Sequence, residues 1–275
     1  MPEEESDPRI RLVPEPGRAD AWTLLVDGAD QSHVDLGDPT RLEFDYVRRM
    51  GDVLDALAPP GETLRVVHVG GAGMTLARYV AATRPRSPQV VLEPYEALTA
   101  HVREHLPLPA RSGIKVRPQD GRTGLAQMRA DHADVVVVDA FDGARVPADL
   151  TTRESLAQAA VVLTDGGVLM LNVTDRLPFP YARRVVAGVA EQLAHVVVSA
   201  EPATMKGRRF GNLLVAASDR PLPEAALRRV AASSAFPYRV LAGTEVSDAL
   251  GGGTPLTDAD PSRSPEPPGG AAFFR

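Results

Sequence analysis

The stretch that decides the fold is Leu64-Arg65-Val66-Val67-His68-Val69-Gly70-Gly71-Ala72-Gly73-Met74-Thr75, followed at once by Leu76-Ala77-Arg78-Tyr79-Val80. An apolar, β-branched run ends in a glycine cluster and gives way to helix-forming residues, which reads as strand, tight turn and helix. Glycines let the chain turn sharply and let a ligand approach backbone N–H groups, which the first turn of a helix also presents. A glycine cluster alone describes a plain tight turn as readily as a nucleotide site. Context favours the nucleotide site. A second apolar strand, Gln89-Val90-Val91-Leu92, ends in Glu93 about twenty residues on, where a carboxylate would hold a ribose diol.

Toward the N-terminus, Ala21-Trp22-Thr23-Leu24-Leu25-Val26 reads as a strand, Asp27-Gly28 as a hairpin turn and Gln31-Ser32-His33-Val34-Asp35-Leu36 as the returning strand, together a small β platform. Asp38-Pro39-Thr40 opens a helix whose apolar positions Leu42, Tyr46, Met50, Val53, Leu54 and Leu57 keep helical spacing until Pro59-Pro60-Gly61 stops it. From residue 64 onward strands and helices alternate: strands at 64–69, 89–93, 113–117, 134–139 and 168–173, with helices at 74–83, 94–105, 122–130, 152–162 and 180–193. Such alternation predicts a mostly parallel sheet with helices on both faces. The last two strands, 195–200 and 212–217, are separated only by Glu201 to Gly211, too short for a helical crossover, and are expected to pair antiparallel. The expected fold is α/β: a Rossmann-like class I methyltransferase fold whose seven-stranded, mostly parallel sheet ends in an antiparallel strand, beside the N-terminal platform. Three segments are expected: a hairpin and helix platform over 10–60, the Rossmann-like domain over 61–248, and a disordered tail over 249–275, rich in Pro, Gly and Ser. Residues 1–9 are expected to be disordered as well.

Composition narrows the function. The chain has 275 residues, 44% hydrophobic and 24% charged, as in an ordinary globular protein able to bury a sizeable core. No apolar run approaches the roughly 20 residues that span a bilayer. The start, Met1-Pro2-Glu3-Glu4-Glu5, is acidic without an apolar run behind it, unlike a secretory signal, so a cytoplasmic location is expected. With no cysteine there is no disulfide, thiolate nucleophile or Cys-ligated zinc. A formal charge of −6 argues against a nucleic-acid partner and suits a cationic substrate. Of the six histidines only His101 and His105 have i, i+4 spacing, and they lack the Glu of a zinc helix, so no metal site is expected. Lys206-Gly207-Arg208-Arg209-Phe210-Gly211-Asn212 reads as a solvated basic turn or a lid.

In open α/β sheets ligands bind outside the carboxyl ends of the strands. The acids there are Glu93 after the second strand of the alternating region, Asp120 shortly after the third, and Asp139 with Asp142 after the fourth. Each alone has a plain reading, since Asp is common in turns and caps. Four on one rim point to a site. Asp139 follows Val135-Val136-Val137-Val138, so its carboxylate is expected to be partly desolvated, where a charge needs a partner.

These residues resemble the polyamine aminopropyltransferase family, the spermidine synthases, and in particular their actinobacterial spermidine synthase-like relatives. The likeness covers about residues 21–218. Gln31 and Asp35 resemble the family's N-terminal Gln motif, and Phe44-Asp45-Tyr46 its Phe-x-Tyr helix start. Val69-Gly70-Gly71-Ala72-Gly73 stands where the family has its Gly-Gly-Gly-Asp-Gly-Gly loop. Glu93 falls on the ribose-binding acid, Asp120-Gly121 on the acid that reads the adenine amine, and Asp139-Ala140-Phe141-Asp142 on the Asp-x-x-Asp that handles the attacking amine.

The resemblance implies a co-substrate rather than a prosthetic group: decarboxylated S-adenosylmethionine, whose aminopropyl carbon is attacked in line by a neutral amine or polyamine. Asp139 would take or orient the amine proton, assisted by the Tyr46 hydroxyl. Asp142 would anchor the far ammonium of a diamine, and Gln31 would help bind the substrate. Gly70, Gly71, Gly73, Glu93, Asp120 and Gly121 would cradle the nucleoside, and a homodimer is the expected assembly. Three positions depart from the pattern. Gly73 takes the place of the acid that grips the donor's ammonium, Val47-Arg48-Arg49 follow Tyr46 where polar and acidic residues are usual, and Gly143 replaces a proline. The first change leaves room for intact S-adenosylmethionine. A small-molecule methyltransferase and a non-catalytic nucleoside-binding homologue are therefore the competing readings.

Overall fold

The computed structural model describes residues 7–270. Three antiparallel strands, β1 (Ile10–Pro14), β2 (Ala21–Val26) and β3 (Ala29–Asp35), form the N-terminal sheet. Strands β2 and β3 match the hairpin read from sequence. Strand β1 is an addition, a short edge strand with the single charged residue Arg11, ended by Pro14, whose missing N–H suits only an edge. Helix α1 (Asp45–Leu57) buries Val47, Met50, Val53 and Leu54 on one face. It begins later than Asp38-Pro39-Thr40 predicts, because Asp38 instead closes a local turn, its Oδ1 accepting from Thr40 N at 3.1 Å. Beyond it run β4 (Val66–Val69), α2 (Thr75–Thr83), β5 (Gln89–Leu92), α3 (Glu96–His105), β6 (Ile114–Arg117), α4 (Gly121–Ala126) and β7 (Ala133–Val138). A 3-10 turn at Ala148–Leu150 leads to α5 (Arg153–Val162), β8 (Leu163–Asp175), α6 (Pro180–Ala190), β9 (His195–Ala200), α7 (Pro202–Met205), β10 (Gly211–Ser218), α8 (Glu224–Ser233), β11 (Arg239–Ala242) and α9 (Thr244–Leu250).

The large sheet has the order β11-β9-β10-β8-β7-β4-β5-β6. Strands β6, β5, β4, β7 and β8 are parallel, and β10 runs antiparallel between β8 and β9. The expected antiparallel closure is therefore present, but the sheet has eight strands where seven are expected. The additional strand, β11, pairs antiparallel with β9 at the edge. It is four residues long and follows the loop around Pro237, too short an apolar run to announce itself by periodicity.

Both faces of the sheet are covered. One core joins Val67, Val69, Val136, Leu169 and Leu171 to α5 and α6, and the other joins Val66, Val135, Val137 and Met170 to α1, α2 and α8. A third cluster packs Leu24 and Val34 of the N-terminal sheet on Met74, Val91, Leu98 and Val102. The N-terminal sheet is thereby fastened over the end of the sheet where the glycine loop lies.

The chain ends differ most from expectation. Residues 1–6 and 271–275 of the two expected loose ends lie outside the described residues. Asp7, by contrast, accepts from Arg9 Nε at 3.0 Å and from the Tyr95 hydroxyl at the start of α3. Residues 251–270 lie along the body through specific contacts. The Leu256 carbonyl accepts from Arg153 N at 2.8 Å, Asp258 accepts from Thr152 Oγ1 at 2.7 Å, and Leu256 and Ser264 are completely buried. Pro, Gly and Ser lower the tendency to form helix or strand, but they do not prevent an irregular segment from being held by side chains that lie elsewhere in the sequence.

Candidate active site

The carboxyl ends of β4, β5 and β7 face a cavity of about 540 Å³. Gly70, at the end of β4, has φ +93°, and a Cβ there would collide with the Asp139 carbonyl. Only glycine lets the two strand ends meet so closely. Their backbones are joined directly, Asp139 N donating to Val69 O at 2.9 Å. The sequence of the loop thus places the first acid of the Asp-x-x-Asp stretch beside the glycine turn.

Glu93, at the end of β5, is 8% exposed, and its carboxylate closes the loop. Oε2 accepts from Gly71 N at 2.9 Å and Ala72 N at 3.2 Å, while Oε1 accepts from Tyr95 N at 3.0 Å. Those amides would otherwise form an anion-binding nest. With a carboxylate already seated there, the loop is suited to a nucleoside rather than to a diphosphate. Three of the roughly four acceptor positions of Glu93 are used, so it can take one ribose hydroxyl rather than grip a diol with both oxygens. Asp120 caps α4, its Oδ1 accepting from Thr123 N at 2.8 Å, which holds its carboxyl below the usual range. Asp120 and Gly121 line the same cavity, as do Gly70 and Gly71.

Gly73 is placed differently from expectation. It does not line the cavity. A Cβ there would lie 2.7 Å from Val34 Cγ2 and 2.8 Å from Ser32 Cβ, and its amide donates to Ser32 Oγ at 3.0 Å. Thr75 Oγ1 also donates to the His33 carbonyl, at 2.8 Å. Position 73 is small because β3 packs on it, so the loop acid of the family has no equivalent place to point into the cavity from this residue.

Beside the glycine turn Asp139 meets Asn172, whose Nδ2 donates to Asp139 Oδ1 at 2.9 Å. Burial pushes the Asp139 carboxyl up to about 6, with the Asn172 bond opposing the rise. Tyr46 lines the same cavity and lies at a tilt to Phe44, with ring centroids 6.0 Å apart. Burial first, and then the charges of Asp139 and Asp45, raise the Tyr46 phenol well above its ordinary value, so it stays a hydroxyl donor. Gln31 reaches across the mouth, its Nε2 lying 3.4 Å from the Gly143 carbonyl. Asp142 also lines the cavity, but its carboxylate is paired with Arg263 of the C-terminal segment rather than standing free to anchor an ammonium.

Sequence reasoning misses Asn172 and Asn212, both of which line the cavity. A single Asn inside the apolar run Leu169 to Val173 of β8 is the available signal, because a polar residue on a doubly covered strand requires a partner. His68 also lines the cavity. It is buried and pushed down to about 4 by desolvation, so it is neutral, and its Nε2 pairs with Gln89 Oε1 at 2.9 Å. The basic loop after α7 does not cross the cavity. Lys206 and Arg208 border a separate hollow with Arg48 and Phe236. Among the described residues no group of three or more His, Asp or Glu side chains is arranged to hold a metal ion, and no helix is long and apolar enough to cross a membrane.

Comparison with known proteins shows what this geometry is similar to. No protein-family model matches the chain. It is 26% identical over 143 residues to the polyamine aminopropyltransferase of Chromobacterium violaceum, a match that covers 52% of this chain and 53% of that protein. The chain thus spans about half the length of the curated relative it matches. The crystal structure of a probable spermidine synthase from Corynebacterium glutamicum superposes with a TM-score of 0.84 at 29% identity, covering 90% of this chain and 92% of that one. The chain is similar to the spermidine synthases. The same fold extends to human methyltransferase-like protein 13 in complex with SAH, at a TM-score of 0.55 and 20% identity, over 65% of this chain and 83% of that one. The spermidine synthase-like chain therefore has the Rossmann-like methyltransferase architecture read from its strand order.

Proposed function

We propose that this chain transfers an aminopropyl group from decarboxylated S-adenosylmethionine to an amine. The observation that carries the reading is one cavity joining a nucleoside end, built by Gly70, Gly71, Glu93, Asp120 and Gly121, to an amine end built by Asp139, Asn172 and Tyr46. Its charge supports the choice of donor. Among the described residues, seven carboxylates line the cavity, one of them, Asp142, paired with Arg263, and Arg9 is the single guanidinium in the lining itself. Such a surface favours a sulfonium with a free ammonium over one that carries a carboxylate.

The chemistry is displacement at carbon. The acceptor nitrogen's lone pair forms a bond to the aminopropyl carbon, the carbon–sulfur bond breaks, and its electron pair neutralises the sulfonium to give a thioether. The proton released from nitrogen passes to Asp139. A carboxylate at about 6 is a better base than an ordinary Asp while remaining mostly ionised at neutral pH. Asn172 orients one carboxylate oxygen and leaves the other for the amine. Positioning supplies most of the remaining acceleration, because charge disperses as the reaction proceeds. The names of the matched relatives, polyamine aminopropyltransferase and probable spermidine synthase, support the same assignment.

Calorimetry with methylthioadenosine, decarboxylated S-adenosylmethionine and S-adenosylmethionine tests it, followed by detection of methylthioadenosine released in the presence of amines. Tighter binding of the decarboxylated donor and amine-dependent release are expected. Tighter binding of intact S-adenosylmethionine would overturn the reading in favour of a methyltransferase.

A further inference from the structure

The loop after β7 carries two carboxylates, Asp139 and Asp142, and the C-terminal segment treats them differently. Asp139 faces Asn172 inside the cavity. Asp142, also part of the cavity lining, is paired with Arg263 and held at the backbone by a two-residue bridge, its N donating to the Arg145 carbonyl at 2.9 Å. Arg263 is no loosely placed surface residue. The next residue, Ser264, is completely buried, and its Oγ accepts from Val146 N at 2.9 Å and meets Thr174 Oγ1 at 3.1 Å. The Ser264 carbonyl accepts from Arg145 Nε at 2.6 Å. These contacts with the loop after β7 and with β8 fix the segment at the position where Arg263 meets Asp142.

We propose that Arg263 tunes acceptor specificity: by occupying Asp142 it withdraws that carboxylate from the far ammonium of a diamine, so the chain does not favour a diamine over a monoamine as it would with Asp142 open. This rests on the aminopropyl-transfer reading above. An incoming diamine would bring its far ammonium toward a carboxylate already neutralised and beside a guanidinium, and would meet repulsion where attraction is needed. A monoamine loses nothing, because its single nitrogen is served by Asp139. The Arg263 and Asp142 side chains are 45% and 63% exposed, so the pair is solvent-screened and the preference it creates is modest.

The test titrates 1,4-diaminobutane and butylamine into the full chain by calorimetry, with and without saturating methylthioadenosine, for wild type, Arg263→Gln, Arg263→Lys and Ser264→Ala. In wild type the monoamine should bind at least as well as the diamine. Arg263→Gln should move the affinity ratio toward the diamine by roughly fivefold, the size expected of a half-exposed charge pair. Arg263→Lys, which keeps the charge, should hold the wild-type ratio. Ser264→Ala, which loosens the segment, should move the ratio in the same direction as Arg263→Gln. An unchanged ratio in Arg263→Gln, a wild-type preference for the diamine, or no amine binding to either protein would each overturn the inference. Failure of methylthioadenosine to bind would instead overturn the reading on which it rests.

Discussion

The two parts of the proposed site, a nucleoside end and an amine end, are built by different means. The nucleoside end is made by one run of chain, residues 70–121, in which each acid sits at or just beyond a strand end and bonds backbone amides nearby: Glu93 to Gly71 and Ala72, Asp120 to Thr123. The amine end is assembled from α1, the loop after β7, the long strand β8 and the C-terminal segment, which contribute Tyr46, Asp139, Asn172 and Arg263. A pocket made of local backbone is set by the turn itself. A pocket made of distant side chains can change its substrate by altering one contributor while the fold is kept.

The contrast is sharpest at Asp139. Asp139→Asn should lower turnover by about 10²- to 10⁴-fold, the usual range for losing a general base, while methylthioadenosine affinity stays nearly constant. A parallel loss of nucleoside binding would show that the two ends are not separable. The same variant should be more stable than wild type at high pH. The folded carboxyl is raised from 3.8 to about 6, so its contribution to wild-type stability is fully present below about pH 4 and is lost as pH rises through about 6. The gain in the variant should approach about 2–3 kcal/mol at pH 8 and vanish near pH 4 in denaturant titrations, since each tenfold change in proton affinity is worth about 1.4 kcal/mol.

At the seam between the ends, Gly70→Ala should destabilise the protein by more than about 2 kcal/mol, since it combines a positive φ with a collision against the Asp139 carbonyl. A melting temperature equal to that of wild type would mean that the strand ends do not approach as described. At the nucleoside end, Glu93→Ala should weaken methylthioadenosine about tenfold or more, because about 1.5–3 kcal/mol of charged hydrogen bonding is lost and the loop amides lose their partner. Unchanged affinity would detach Glu93 from the ligand. If the wild-type chain carries the proposed activity, kcat/KM should fall about tenfold per pH unit below about pH 6 as Asp139 takes a proton. Substitution at Asp139 should remove that limb.

The smallest expected change in ligand preference is at Gly73. Gly73→Asp should cost about 1–3 kcal/mol of stability, because its Cβ would press on Val34 and Ser32, yet the ratio of affinities for the decarboxylated and intact donors should stay the same. A ratio moving toward the decarboxylated donor in a folded variant would mean that position 73 faces the donor after all.

What can be read from the sequence follows the same division. The glycine turn, Glu93, Asp120 and Asp139 are visible because they sit at fixed offsets from apolar β-branched runs, and the strand end aims them at the ligand. The antiparallel closure is visible from the length of the connection between β9 and β10. Strand β11 and the packed C-terminal segment are not, since a four-residue strand and a Pro-rich run carry no period. Asn172 is hidden inside an apolar strand, and the partner of Asp142 lies 121 residues away. The role expected of Gly73 fails for a packing reason: motif alignment gives a position in the loop, but β3 decides which way that position faces.

The placement of β10 also dictates an order of assembly. Among the described residues, strand β9 has hydrogen-bonded neighbours only in β10 and β11, both of which follow it along the chain. As the polypeptide is synthesised, β9 has no edge to join until β10 arrives and inserts beside β8. The parallel half of the sheet can be complete while β9 waits, with its apolar run Val196, Val197 and Val198 unpaired. Asn212 enters the cavity on that same late strand. The cavity is therefore finished by the step that also covers an exposed sheet edge, so a chain stalled before β10 would have both an incomplete cavity and an aggregation-prone edge.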